Sequence, residues 1–212
     1  MNHIVRTVDC HAGNEIVHVA YTVNNDIIGN LFHHAEQCRD FILCGAWVAV
    51  FVFARRIAEE TKVEAVCLRI FNAYGPGQRV TLSNPPIIPN FLKHALTNGS
   101  IVIHGDGNQT RDYVYLDDVI DAIIAAGKAV GVDQEIINIG SGVETSVNEL
   151  ARLVRLVTDR KPEHIFNPKR DGGADRMCAD ISKAGRLLNY VPKVPLESGL
   201  RLTIEKDPLL QV

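Results

Sequence analysis

The sequence has few cysteines and spaces them widely. Its 212 residues include five cysteines, and no two of them form a C-x-x-C pair. This spacing argues against the common zinc-binding patterns and against a disulfide framework. Scattered thiols are typical of proteins from a reducing compartment, so we expect a cytoplasmic protein.

The sequence also lacks long apolar runs and a net positive charge. The longest apolar run, residues 44–54, is too short to span a bilayer, and the N-terminus lacks the basic-then-apolar pattern of a signal peptide. A net charge of −3 provides no basic field for nucleic acid or an anionic membrane. We therefore expect a soluble protein with neither partner. Any phosphate ligand must therefore be bound by a few individually positioned arginines.

Apolar periodicity in the first third predicts an α/β fold. Residues 16–20 and 65–71 have strand patterns, and the second is apolar enough for a strand covered on both faces. Ile28, Leu31 and Phe32 lie on one face of a predicted helix. A further strand at 41–43, a helix ending near 61 and an unpatterned segment 1–14 complete this part. The alternation predicts βαβ crossovers and a parallel sheet.

The remaining two thirds also alternate strands and helices. A proline-led helix is predicted up to Asn98, and Ser146 with Glu149 forms a capping box for another. Residues 161–177 are polar and contain Pro and Gly, which predicts a loop. The other predicted elements are strands at 101–103, 113–115 and 135–139 and helices at 180–188 and 196–206.

Arg111 follows a glycine-rich turn between two predicted strands. Its planar guanidinium suits bidentate contact with a phosphate. The alternative is a surface arginine paired with Asp106 or Asp112. Spacing alone does not separate these two interpretations.

Five motifs occur in order along the chain. They are LRIFNAYGPGQ (68–78), IIPNF (87–91), GDGNQTRDYVYLDDVIDA (105–122), INIGSGVETSVNELA (137–151) and KR…ADISKA (169–184). Together they resemble the C-terminal portion of the extended short-chain dehydrogenases that act on nucleotide sugars, most closely the UDP-glucose 4-epimerase type. The resemblance covers about residues 55–206. It does not distinguish epimerases from dehydratases or decarboxylases.

The resemblance implies a division of labour between two parts of the chain. Residues 1–80 would be a shortened remnant of a Rossmann-like domain that binds NAD, and residues 81–212 a smaller α/β lobe that binds a nucleotide sugar. Asn72 would touch the diphosphate or the sugar, and Arg111 and Arg170 would clamp the phosphates. Ile88 and His104 would flank the base.

Simpler interpretations stand beside these roles. Arg176 is an alternative to Arg170, and His104 next to a turn is commonly a surface or packing residue. Gly140-Ser141-Gly142 resembles a dinucleotide loop, but Thr145 stands where a third glycine is needed. In the resembled family this segment is a structural strand-to-helix turn.

Two motifs that the resembled chemistry requires are missing. The sequence contains no G-x-x-G-x-x-G, the loop whose backbone N–H groups receive the NAD pyrophosphate. None of its tyrosines is followed four residues later by lysine, the pair that would take a proton from the substrate. Residues 15–48 only faintly resemble the family's cofactor-lining strand and catalytic strand.

Three hypotheses follow. The first is an NAD-dependent nucleotide-sugar epimerase or dehydratase, which would oxidise its sugar transiently by hydride transfer to NAD. The second is a catalytically incompetent nucleotide-sugar binder, either a homodimer or a heterodimer with a complete paralogue. The third is a structural remnant without a ligand. Calorimetry with a UDP-sugar, UDP and NAD separates them.

Overall fold

The computed structural model describes residues 3–12, 15–24, 64–78, 80, 85–168 and 174–211. The sequence-predicted helix around 28–35, the strand at 41–43 and the helix ending near 61 lie outside these residues. The contacts group the chain into two compact units. Unit 1 comprises Met1–Ile70, Val119–Ile139 and Asp180–Val191, and unit 2 comprises Phe71–Asp118, Gly140–Ala179 and Pro192–Val212. A division of the chain at residue 80 stays a prediction.

Unit 1 contains a four-stranded sheet in the order β1-β2-β3-β8. Its strands are β1 (His3–Ala12), β2 (Glu15–Asn24), β3 (Cys67–Ile70) and β8 (Ile136–Ile139). The predicted parallel pairing is confirmed for β3 and β8, with Cys67 opposite Ile136. The α/β class is confirmed.

Three details of unit 1 differ from the sequence-based expectations. Residues 1–14 include a strand, β1, which pairs with β2 through a tight hairpin. The strand predicted at 16–20 is part of β2, but it runs antiparallel to β3. The strand β1 is defined by its backbone hydrogen bonds to β2 in a hairpin. Such bonds do not require an apolar pattern of side chains. The structure also exposes Arg69, so β3 is not covered on both faces.

Two helices belong wholly or largely to unit 1. The helix α2 (Leu116–Lys128) has Asp117 and Asp118 in its first turn, as predicted from their favourable interaction with the helix dipole. Its residues from Val119 onward lie in unit 1. The short helix α4 (Ser182–Leu188) confirms the helix predicted at 180–188.

Unit 2 is built from short strand pairs packed against three helices. The helices are α1 (Ile87–Leu96), α3 (Val147–Thr158) and α5 (Leu196–Lys206). The strand pairs are β4 (Ala73–Tyr74) with β7 (Val114–Tyr115), β5 (Ile101–His104) with β10 (His164–Asn167), and β6 (Thr110–Arg111) with β9 (Thr145–Ser146). All three helices were predicted, α1 and α3 from their apolar faces.

The hydrophobic core of unit 2 lies between these helices and the strands. Phe91, Leu92, Leu150 and Leu200 are among its fully buried side chains. Ser146 caps α3 as predicted, because its hydroxyl accepts a hydrogen bond from the Glu149 N–H at 3.1 Å. The Glu149 carboxylate pairs with Arg152 on the next turn.

The segment predicted as a polar loop, residues 161–177, contains the strand β10. It runs parallel to β5, with Ile165 opposite Val102. Both Ile165 and Phe166 are exposed. Because the strand is held by backbone pairing rather than by burial, it shows no apolar alternation, and the prediction of a loop throughout was wrong.

Candidate functional site

Arg111 ends the short strand β6 in unit 2. Antiparallel pairing places it opposite Thr145, and Thr110 also bridges to Arg176. The Arg111 Nη1 atom donates hydrogen bonds to the carbonyl oxygens of Thr110 at 2.8 Å and Ala174 at 2.6 Å. These two bonds orient the guanidinium plane. The side chain is half-buried.

The two aspartates named above as alternative partners of Arg111 both use their carboxylates to bind other groups. Asp106 binds the backbone N–H of Asn108 at 2.9 Å and its side-chain amide at 2.8 Å. These bonds lower the pKa of Asp106. Asp112 is fully buried and binds backbone groups elsewhere in unit 2.

Asn72 lies against the segment that follows Arg111. Its Nδ2 atom donates to the backbone oxygen of Asp112 at 3.0 Å and lies 3.8 Å from the Met177 Sδ atom. The structure therefore brings together the Asn72 side chain and the chain segment of Arg111, which are far apart in sequence. The sequence motifs predicted roles for both residues but not this contact.

Asp112 is the functional candidate that sequence reasoning missed. Its Oδ1 atom accepts hydrogen bonds from the Ser141 N–H at 2.7 Å and the Ser141 hydroxyl at 2.6 Å. Its Oδ2 atom accepts from the N–H groups of Gly142 at 2.9 Å and Ala179 at 3.1 Å. The donors lie 29 to 67 positions away, so no local pattern could have revealed them.

This arrangement bears on the segment Gly140-Ser141-Gly142. A dinucleotide loop presents its backbone N–H groups to a pyrophosphate. Here the N–H groups of Ser141 and Gly142 are bound to a carboxylate of the chain itself. The segment does not fit an NAD phosphate cradle, in keeping with its interpretation as a structural turn.

The two residues predicted to flank a base occupy different environments. The Ile88 side chain is 2% exposed and packs in the core of unit 2. His104 is half-buried at the end of β5, directly before a glycine at φ 69°, and its carbonyl oxygen accepts from Gln109 Nε2 at 2.8 Å. Their contact with a base stays a prediction.

Arg170, the second predicted phosphate ligand, lies outside the described residues. Its alternative, Arg176, is described. The Arg176 side chain is 77% exposed and forms an ion pair with Glu144. The hydrogen bond from Arg176 lowers the pKa of Glu144. Glu144 is also within 3.4 Å of the Thr110 hydroxyl, next to Arg111.

Tyr113 adds a buried phenol two residues beyond Arg111. Its side chain is 5% exposed, and its hydroxyl has no hydrogen-bond partner among the described residues. Burial raises the pKa of this phenol, and the charge of Arg111 opposes the rise. The sequence pattern marked Tyr113 only as a strand residue.

The described residues contain no cluster of three or more His, Cys, Asp or Glu side chains placed to hold a metal ion. Among their helices, none combines the length and apolar character needed to cross a membrane.

Residues 46–140 match the family model described as the NAD dependent epimerase/dehydratase family. With the relatives below, this match shows that the chain belongs to the NAD-dependent epimerase/dehydratase family. A putative UDP-glucose 4-epimerase of Methanocaldococcus jannaschii is 37% identical over 142 residues, which are 67% of this chain and 45% of that protein. A UDP-glucuronic acid decarboxylase of Arabidopsis thaliana is 32% identical over 145 residues, 68% of this chain and 31% of that protein.

Solved structures agree with this assignment. A UDP-glucose 4-epimerase from Thermotoga maritima, crystallised with UDP-glucose, matches with a TM-score of 0.70 at 34% identity, over 75% of this chain and 50% of that one. A UDP-glucuronic acid 4-epimerase from Bacillus cereus, in complex with UDP-glucuronic acid and NAD, matches with a TM-score of 0.65 at 30% identity, over 72% and 48%. The chain spans about half the length of these relatives or less.

Proposed function

We propose that unit 2 binds a nucleoside diphosphate sugar of the UDP-sugar type. In this proposal Arg111 binds the diphosphate, and Asn72 contacts the diphosphate or the sugar beside it. The supporting observation is the hydrogen bond from Asn72 Nδ2 to the carbonyl of the residue after Arg111. It places the Asn72 amide against the chain segment that carries Arg111, and an amide and a guanidinium can both donate hydrogen bonds to phosphate oxygens.

The other predicted residues complete the proposed site. Arg170 would be the second phosphate ligand, and Ile88 and His104 would lie on either side of the base. Ile88 is 2% exposed, so its contact with a base is the part of this proposal that burial opposes. Support for the ligand class comes from relatives crystallised with UDP-glucose and with UDP-glucuronic acid.

The activity of the whole protein is a separate proposal. Relatives named as epimerases and decarboxylases suggest NAD-dependent chemistry on the sugar. The chemistry that NAD supplies in such a reaction is reversible hydride transfer with the sugar. The glycines at 140 and 142 do not fit its pyrophosphate, and the sequence lacks a G-x-x-G-x-x-G loop. The described residues are therefore given no role in binding NAD.

One sequence observation favours a second candidate, a nucleotide-sugar binder without catalysis. No tyrosine is followed by lysine at the fourth position, so the usual proton acceptor of the family is missing from this sequence. Such a chain would act by binding the nucleotide sugar, alone or in a dimer with a complete paralogue.

Titration calorimetry with four ligands tests the proposal. We expect heat of binding from UDP-glucose and UDP, weaker binding of uridine, and no binding of NAD by the non-catalytic form. Binding of NAD together with turnover of UDP-glucose would establish the enzyme instead. Lack of binding by both UDP-glucose and UDP would refute the proposed ligand.

A further inference from the structure

We propose that Asp112 is a positioning residue for the nucleotide site, acting through Arg111 and Asn72 rather than touching the ligand. The inference rests on the proposed binding of a nucleoside diphosphate by unit 2. It assigns a role to a carboxylate whose negative charge would otherwise only repel a phosphate bound nearby.

The Asp112 carboxylate ties three segments of unit 2 together. The side chain belongs to the segment that carries Arg111, and it is 0% exposed. Two backbone N–H groups and a hydroxyl of the 140–142 turn bind it at 2.6 to 2.9 Å. The N–H of Ala179 binds it at 3.1 Å from the third segment.

A carboxylate can accept hydrogen bonds from all of these donors, and a neutral side chain of the same shape cannot. An ionised carboxylate only accepts hydrogen bonds, at about four lone-pair positions. Four N–H or O–H donors bind it here, and the Cys178 thiol also donates to Oδ2 at 4.0 Å. An asparagine at this position would turn its own NH₂ group toward at least two donors, because each oxygen of Asp112 accepts at least two bonds. The buried negative charge is thus bound by backbone dipoles within the chain, which reduces its repulsion of a nearby phosphate.

Gly140 allows this close packing. A Cβ atom at Gly140 would lie 2.6 Å from both Asp112 Oδ2 and the Ala179 Cβ atom. Real Cβ contacts are never this short, so any side chain at Gly140 would push the carboxylate away from its donors.

Both proposed ligand-binding residues depend on these segments. Asn72 is held by the backbone oxygen of Asp112 itself. Arg111 is oriented by the carbonyl oxygen of Ala174, at the start of the described segment that Asp112 anchors at Ala179. Met177, on the same segment, contacts the Asn72 amide. Release of the carboxylate would therefore loosen the supports of both residues together.

The test compares UDP with uridine in two variants. Asp112→Asn is expected to weaken UDP binding about 10-fold or more while changing uridine binding by less than about 3-fold, because only UDP uses Arg111 and Asn72. Asp118→Asn is the matched control. Asp118 is 2% exposed and also accepts two backbone N–H bonds, from Lys193 at 2.9 Å and Val194 at 3.1 Å. It is expected to lower the melting temperature while leaving the UDP-to-uridine affinity ratio unchanged.

A milder variant covers the case in which Asp112→Asn does not fold. Ser141→Ala removes one hydroxyl donor and keeps the carboxylate, and it should reduce UDP affinity about 2- to 5-fold with uridine unaffected. The inference is overturned if the folded Asp112 variant, or Ser141→Ala in its place, keeps the wild-type UDP-to-uridine ratio. It is also overturned if Asp118→Asn lowers that ratio equally. Failure of the wild-type protein to bind UDP at all would instead refute the proposed function.

Discussion

Arg111 is the residue on which ligand recognition depends most in this account. Its Nη1 atom is tethered to two backbone oxygens, so the guanidinium is oriented before a ligand arrives. Pre-orientation reduces the entropy lost when two hydrogen bonds to a phosphate form. The charge for the ligand then comes from a few placed groups, consistent with the net charge of −3.

Arg111→Ala should weaken UDP-glucose binding by about 1.5–3 kcal/mol, because charge-assisted hydrogen bonds to the phosphate are lost. Calorimetric titration measures the change directly. Arg152→Ala is the control, since this arginine lies on the exposed face of α3 and pairs with Glu149. An Arg111 variant that binds UDP-glucose as tightly as the control would remove Arg111 from the site.

His164 makes folding stability depend on pH. Burial, and then the charge of Arg155, lower the pKa of this imidazole below its usual 6.5. Above 6.5 the ring is neutral in both the folded and the unfolded state. As the pH falls below 6.5 the unfolded chain takes up the proton first, so stability is lost through the window between 6.5 and the lower folded-state pKa.

The His164→Gln variant should therefore lose less stability than the wild type between pH 7.5 and pH 5.5. Urea unfolding at the two pH values measures the difference. Equal slopes for wild type and His164→Gln would contradict the assignment.

At the scale of the element, α3 depends on its N-cap residue, Ser146. Ser146→Ala removes the acceptor for the Glu149 N–H and should lower the free energy of unfolding by about 1 kcal/mol. Ser146→Thr keeps an acceptor oxygen and should remain near wild type. Chemical denaturation of both variants checks the prediction, and equal stabilities for the alanine and threonine variants would contradict it.

Substitution by alanine should have opposite effects on stability at Gly140 and at Gly185. Gly140→Ala should destabilise the fold by about 1–3 kcal/mol or more, since its Cβ would meet Asp112 and Ala179 at 2.6 Å. Gly185 lies inside α4, where a Cβ would meet only the Tyr190 oxygen at 3.7 Å, an ordinary contact. Gly185→Ala should stabilise the protein by about 0.5–1 kcal/mol. Melting temperatures that move in the same direction would refute this pair.

Helices with a buried apolar face could be predicted from the sequence, and strands fixed by backbone pairing were harder to predict. The apolar faces of α1, α3 and α5 lie in the unit 2 core, and all three helices were predicted near their observed bounds. The strands β1 and β10 were missed. They are set by backbone pairing, and the side chains of β10 at Ile165 and Phe166 are exposed.

The residues of the candidate site show the same difference between what local sequence indicates and what tertiary packing decides. Arg111 and Asn72 were found because they stand in short motifs that can be compared with a family. Asp112 was considered only as a partner for Arg111, since its actual donors at 141, 142 and 179 become neighbours through tertiary packing. The burial of Ile88 likewise depends on how α1 packs in the core.

At the scale of the whole molecule, family membership and activity rest on different evidence. Membership follows from the match over residues 46–140 and from relatives 32–37% identical. The activity of the whole protein stays a proposal, because the chain spans about half of its relatives or less. The proposals therefore locate nucleotide binding in unit 2 and leave catalysis to be decided by NAD binding and turnover.

The most direct test is an NMR titration of the ¹⁵N-labelled chain with UDP. The proposed site predicts that the largest shifts fall on the Asn72 side-chain amide, the Arg111 Nε–H group and the backbone around 110–113. The turn at 140–142 should shift less, since its N–H groups remain bound to Asp112. Saturable shifts confined to unit 1, or no shifts at millimolar UDP, would contradict the central claim.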